Sequence, residues 1–291
     1  MEFGLGFIIA VFIALTGVGA GSLTTPLLIL LLGLPAKECV GTALIFGTVV
    51  KILSVPGYLF RKQVNWRVFA YLTAAGIPGV IAGAFLLSKV PTNWVTGIVG
   101  LMIMCMALVN LFRFSHVTRH DRAKWLTPVG GLIGLEMGFS SAGAGAIGAL
   151  AMMSLTTLST GAIVGTDLSF GLSLSAVGGL IHAGLGDVNT AVLWKLLVGG
   201  TVGALLGSAL VPHVPSKKLR FALCLALVYI GGQLAWKSIT DLRLANPTIV
   251  PIAAAILVAV IGWGVAGYFR SAGKAGIPKS VPQASSRAAG E

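Results

Sequence analysis

Residues 17 to 113 of this chain recur as residues 141 to 237 at a constant offset of 124, without a gap. Gly19-Ala20-Gly21 returns as Gly143-Ala144-Gly145, Gly41-Thr42 as Gly165-Thr166, Phe46-Gly47 as Phe170-Gly171, Val64-Asn65 as Val188-Asn189 and Val90-Pro91 as Val214-Pro215. Gly76, Gly79 and Gly83 return as Gly200, Gly203 and Gly207. Of the 97 aligned pairs 22 are identical, and they gather on Gly, Pro and Asn, which fix backbone geometry, as much as on interchangeable apolar residues. A period this long does not build a solenoid. It predicts two similar halves packed on each other, and in a very hydrophobic chain that is the plan of transporters with internal repeats.

The chain is 56% hydrophobic and 10% charged, against roughly 25% charged in soluble domains. Uncharged runs cover 68 to 88, 94 to 112, 138 to 166, 196 to 212, 221 to 236 and 244 to 269, and a bilayer helix needs only about 20 mainly apolar residues. The first 32 residues lack the basic start of a secretory signal and carry the motif of the first repeat, so they read as structure. Cys39, Cys105 and Cys224 are not repeated between the halves and form no CxxC or Cys/His pattern, so neither a disulfide nor a metal site is expected. No cofactor motif is present: Gly17-Val18-Gly19-Ala20-Gly21 lacks the third glycine of a dinucleotide fingerprint and has no βαβ context. The net charge of +12 is not gathered into a basic stripe with interleaved aromatics, which argues against a nucleic-acid partner and for membrane topology.

Each repeat opens with an apolar stretch of about 30 residues. Three spans follow, near 36 to 60, 67 to 88 and 94 to 112 in the first repeat and near 160 to 184, 190 to 211 and 218 to 236 in the second. A further span near 248 to 269 lies outside the duplication. If each opening stretch crossed the membrane once, the loop Lys and Arg would divide nine to nine. If each enters and returns as a re-entrant hairpin they divide 14 to 4, with only Lys37, Lys89, Lys237 and Arg243 on the poorer side, as the positive-inside rule expects. The hairpin model leaves an odd number of crossings per repeat, so the halves insert upside down. The turn Arg61-Lys62-Gln63-Val64-Asn65-Trp66-Arg67 is basic, whereas its copy Leu185-Gly186-Asp187-Val188-Asn189-Thr190-Ala191 has one acid and no base.

The predicted fold is therefore an all-α polytopic membrane protein of two inverted repeats, each a broken-helix hairpin plus three transmembrane helices, with an extra C-terminal helix. Residues 1–113 form the first repeat, 114–126 a basic cytoplasmic linker, 127–237 the second repeat and 248–269 the extra helix. Residues 271–291 form a small, polar tail read as disordered. The basic loops and tail are expected on the cytoplasmic side of the plasma (inner) membrane.

Residues 3 to 15 are apolar and the Gly-rich run at 17 to 21 interrupts them. A half-helix of that length reaches about 20 Å of a roughly 30 Å core, so the tip falls inside the membrane. Irregular backbone at that depth is tolerated where it is buried in protein or lines a cavity. Ser22, Thr24 or Thr25 can cap the returning half-helix, with Pro26 in its first turn, and the free N–H groups then face an anion. Ser140-Ser141-Ala142-Gly143-Ala144-Gly145 repeats the arrangement. The expected contacts to substrate are Gly19, Gly21, Ser22, Thr24, Thr25, Ser140, Ser141, Gly143 and Gly145, with Thr42 and Thr166 either facing substrate or bonding their own helix. For Gly76, Gly79, Gly83 and their copies the plainer reading is close helix packing.

Five further ionisable residues fall in or near spans. Lys51 either lines the cavity or snorkels. Asp167 follows the repeated Gly-Thr, where the first copy has Ala43, and is expected to move a proton or pair with Lys51. Glu136, on the second hairpin, is the next candidate for proton coupling. His182 and Lys195 read as interfacial.

The Gly-rich tip followed by a Pro, Gly41-Thr42-Ala43-Leu44, the turn Val64-Asn65-Trp66-Arg67 and the span Gly76-Ile77-Pro78-Gly79-Val80-Ile81-Ala82-Gly83 together resemble the TauE/SafE sulfite exporter family, over roughly residues 5 to 237. The resemblance implies a carrier of small sulfur-containing or organic anions such as sulfite, sulfoacetate or thiosulfate. Asp167 departs from the family pattern, in which a small or hydroxyl residue is more usual. The expected partners are a small anionic substrate and the lipid bilayer, and a homodimer is compatible with the sequence. An anion channel is the nearer alternative. A membrane-embedded enzyme is the farther one, because His116, His120, His182 and His213 are scattered and no nucleophile stands with a base; no enzymatic activity is expected.

Overall fold

The structure is a computed structural model, describing residues 2–16, 20–111, 122–142, 147–210 and 216–243. Among these every regular element is helical: α1 Glu2–Thr16, α2 Ala20–Leu31, α3 Ala36–Phe60, α4 Trp66–Lys89, α5 Thr92–Leu111, α6 Leu126–Ser140 after a single 3₁₀ turn, α7 Ile147–Leu155, α8 Thr160–Gly184, α9 Thr190–Leu210 and α10 Ser216–Arg243. Helices α3, α4, α8, α9 and α10 are long and apolar enough to cross a membrane. Five of the six spans expected within the repeats therefore appear as helices of that kind, the one expected at 218 to 236 running on to Arg243, while the one expected near 94 to 112 is helix α5, whose apolar stretch Trp94–Leu108 is shorter. The extra helix at 248–269, the tail, Gly19, Gly143, Gly145 and most of the linker lie outside the described residues.

Each opening stretch carries two short helices among the described residues. Helices α1, α2, α6 and α7 have 15, 12, 15 and 9 residues; the longest reaches about 22 Å, short of the roughly 30 Å core. Side-chain contacts show where each pair begins and ends. Glu2, first in α1, pairs with Lys195 in the first turns of α9 at 2.5 Å. Glu38, early in α3, accepts from the amide of Asn189, just before α9, at 3.3 Å. The chain thus enters along α1 and returns along α2 to the end of the molecule it started from. In the second half the Arg122 N–H donates to the Leu155 carbonyl at 3.0 Å, joining the entry of α6 to the exit of α7.

Packing follows the duplication. Helix α1 lies on α9 as α6 lies on α4, while α3 packs on its own copy α8 and α5 on its own copy α10. Glycines make the closest of these contacts. Side chains at Gly130, Gly134 and Gly138 of α6 would run into the backbone carbonyls of Leu72, Gly76 and Val80 of α4, so the two helices run parallel at backbone contact. Gly6 meets Leu196, and Gly199 and Gly203 meet Phe3 and Phe7, in the same relation between α1 and α9. Gly76 seats the ring of Phe170 and Gly200 seats that of Phe46, and both rings are fully buried. The packing reading holds for Gly76, Gly79, Gly83, Gly200 and Gly203.

Candidate functional site

The two repeated dipeptides Gly-Thr and Val-Asn form one lock, made twice. Gly41 in α3 lies beneath the carbonyl of Asp187 in the turn before α9, and Gly165 in α8 lies beneath that of Gln63 in the turn before α4. Beside each glycine a threonine takes hold of the same turn: the Asn189 N–H donates to Thr42 Oγ1 at 3.0 Å and the Asn65 N–H to Thr166 Oγ1 at 2.9 Å. Each asparagine side chain then caps the helix it precedes, accepting from Val68 N–H or Val192 N–H at 3.1 Å. Thr42 and Thr166 are fully buried and their oxygens serve the opposite repeat's turn, an option outside the two weighed from sequence. The backbone geometry also repeats, since Lys62 and Gly186, at equivalent positions, both take positive φ of 53° and 79°.

Lys51 sits where the halves meet. It is 9% exposed and donates to the Gly171 carbonyl at 3.0 Å and towards Ser175 Oγ at 3.5 Å. Ser175 is the residue 124 positions on, so a residue touching its own copy marks the local axis relating the repeats. Snorkelling to the surface is ruled out by that burial.

The tips meet. Thr25 Oγ1 of the first and Ser141 Oγ of the second lie 2.5 Å apart, and Gly21 lets the first tip pass against the Ser141 carbonyl. Ser22, Thr24 and Thr25 are 4%, 0% and 0% exposed. One expectation needs correcting: α2 is helical from Ala20, so these hydroxyls and Pro26 lie within it rather than at its cap, and Pro26, lacking an N–H, removes one helical hydrogen bond there. Ser141 ends α6 with a left-handed φ of 60°, costly for a non-glycine residue; at the equivalent position the first repeat has Gly17.

Three more ionisable groups are buried near this level. Glu136, 8% exposed, accepts from Ser140 Oγ at 2.8 Å. Asp167, 9% exposed, lays its carboxylate against Gly148 of α7 so closely that a side chain there would collide with it; it also acts electrostatically on Lys51. At the equivalent positions the first repeat has the opposite sizes, Thr24 and Ala43 in place of Gly148 and Asp167. His182, expected at the interface, is instead fully buried. Its ring bridges Asp187 at 3.4 Å and the Gly138 carbonyl at 3.0 Å, tying the lock at Gly41 to the helix that carries the second tip. That role had no signal in the sequence, because Tyr58 stands at the equivalent position in the first repeat. Among the described residues no cluster of metal-ligating side chains occurs.

Residues 2–234 match the family described as sulfite exporter TauE/SafE. The chain belongs to that family. Similar proteins include the probable membrane transporter protein YjnA of Bacillus subtilis, 27% identical with 79% of this chain and 97% of that one covered. The probable membrane transporter protein YdhB of the same organism is 23% identical, with 77% and 95% covered. A probable membrane transporter protein of Xylella fastidiosa is 22% identical, with 81% and 94% covered. No solved structure gives a significant match. Family and fold agree: this TauE/SafE protein is a multi-pass membrane transporter.

Proposed function

We propose that the chain is a secondary transporter for a small anion, of the class of sulfite, thiosulfate and organosulfonates, working by alternating access around one site between the two tips. The observation that carries this reading is the Thr25–Ser141 contact, which joins hydroxyls of both half-helical hairpins inside the bundle. Hydroxyls and amides hold an oxyanion better than a cation, and hold it modestly, as a carrier that must release its cargo requires. Lys51 adds positive potential on the axis between the halves. The gradient of a proton is the natural driving force, with Asp167 and then Glu136 as the coupling carboxyls. No catalytic chemistry enters this reading.

The halves insert in opposite senses, in the plasma membrane, with the turn at Asn65 cytoplasmic and that at Asn189 external. Two features support this. The charge split of 14 to 4 holds only for that topology, and α3, which runs from the Asn189 lock to the turn before Asn65, has 25 residues, a length of about 37 Å.

The test is flux of radiolabelled thiosulfate, sulfite and isethionate into proteoliposomes holding the purified protein. Saturable uptake that is driven by an imposed pH gradient, and accelerated by unlabelled anion on the opposite side, is the expected result. Uptake that rises linearly with concentration and shows no exchange would make the protein a channel; absence of flux of every anion would end the anion reading.

A further inference from the structure

Ser140 has one hydroxyl proton and two lone pairs to spend. The proton is committed to Glu136, since Ser140 Oγ donates to Glu136 Oε1 at 2.8 Å. One lone pair accepts from the Ala142 N–H at 3.3 Å. The serine that stands beside the tip contact, and that an anion there would recruit as donor, therefore offers only its remaining lone pair, which repels an anion. Glu136 Oε2 is buried with no hydrogen-bond partner among the described residues. A proton can be added at that oxygen without breaking any bond seen here.

We propose that Glu136 is a positioning residue whose own proton decides whether Ser140 can donate to the transported anion, an inference that rests on reading the tips as an anion site. When Glu136 gains a proton, rotation about its last side-chain torsion brings the new O–H to Ser140 Oγ. The serine's second lone pair accepts it, and the Ser140 O–H is released towards the tip, where the anion takes it. When the anion leaves, the serine proton returns to Glu136 as acceptor and the carboxyl proton departs. One proton is bound at this switch for each anion bound.

The surroundings leave this exchange to Glu136. The elements packed on α6 are α4, α8, α7, α5, α2 and the 3₁₀ turn. Helices α2 and α7 carry no ionisable residue. On α4 these are Arg67, Tyr71 and Lys89, but the contacts Gly134–Gly76 and Gly138–Val80 set Glu136 level with the uncharged stretch Ile77 to Gly79. Cys105 on α5 is exposed, and Lys124 lies in the turn that leads into α6. On α8 stand Asp167 and His182, the latter already bonded to the Gly138 carbonyl one half-turn further along α6.

The experiment is equilibrium binding of radiolabelled thiosulfate, whose charge is constant across the neutral range, to the full chain in lipid nanodiscs as a function of pH. For the unmodified protein the Kd should rise up to about tenfold per pH unit on the alkaline limb, the linkage expected for one proton. Glu136→Gln, whose amide donates to Ser140 at every pH, should bind with a flat profile near the acidic value. Ser140→Ala should also be flat, but about tenfold weaker than the unmodified protein at acidic pH, the loss of one hydrogen bond to a charged group. This second variant keeps Glu136 in place, so it reads the same switch without altering the carboxylate. A pH-independent Kd for the unmodified protein, or a Glu136→Gln profile that keeps its slope, would overturn the switch while leaving the anion site standing. Failure of the unmodified protein to bind thiosulfate at any pH would instead remove the anion site, and the switch with it.

Discussion

Asp167→Asn should abolish pH-driven accumulation of the anion while leaving anion exchange in place. The side chain is 9% exposed and packed on Gly148 of the second hairpin, within electrostatic reach of Lys51 on the other repeat. A charge buried between two moving halves forbids some of their rearrangements and permits others once a proton neutralises it, which is how a carrier avoids moving half-loaded. Asn keeps the shape and removes the charge, so the anion-loaded form turns over with or without its proton and the gradient is no longer harvested. With one proton per anion, each unit of pH gradient supports about a tenfold concentration ratio; the variant should relax to a ratio of about one. Uptake and counterflow measured in the same proteoliposomes distinguish the cases. Accumulation with unchanged pH dependence in Asp167→Asn would make the residue structural.

Gly41→Val and Gly165→Val should each cost the fold about 3 kcal/mol, at the upper end of what overpacking a core costs. A side chain at either position drives into a backbone carbonyl, Asp187 in one case and Gln63 in the other, and a backbone atom held by a threonine and an asparagine cap has no cheap way to yield. Gly57, in the same helix as Gly41, has nothing within reach of an added side chain. Gly57→Ala should therefore be neutral or stabilise by about 0.5 kcal/mol, the ordinary gain of Ala over Gly in a helix. Thermal unfolding in detergent, followed by retention of the monodisperse peak on size exclusion, reads all three. Equal stability of Gly41→Val and the unmodified protein would mean that the lock carries little of the packing between repeats.

Much of this architecture was legible because the duplication shows in residues that are replaceable only with difficulty. Gly-Thr and Val-Asn could be seen to repeat, yet not to be partners: a linear sequence shows that two motifs recur together, whereas their pairing arises from the crossing of α3 and α8. The short helices of the opening stretches could be read from the lengths of the apolar runs, a local property. Capping by Ser22, Thr24 and Thr25 was a local inference that tertiary packing overrode, because α2 is helical from Ala20 and keeps Pro26 inside it. His182 reads as interfacial from sequence, and is buried instead, for a similar reason. Its burial depends on α6 passing over the end of α8, which no pattern around residue 182 announces. Glu136 was visible as an acid in an apolar stretch, but the commitment of the Ser140 proton to it needed coordinates.

Two halves inserted in opposite senses around one shared site place their equivalent turns on opposite faces of the membrane, and sidedness tests that most directly. Single cysteines at Arg61 and Leu185, exposed and equivalent positions beside the two turns, would be placed in a background lacking Cys39, Cys105 and Cys224. They would be labelled with a membrane-impermeant maleimide in intact cells and in inverted vesicles. Residue 185 should label only from outside and residue 61 only from the cytoplasmic face; labelling of both from the same side would contradict the inverted arrangement and the single site built on it.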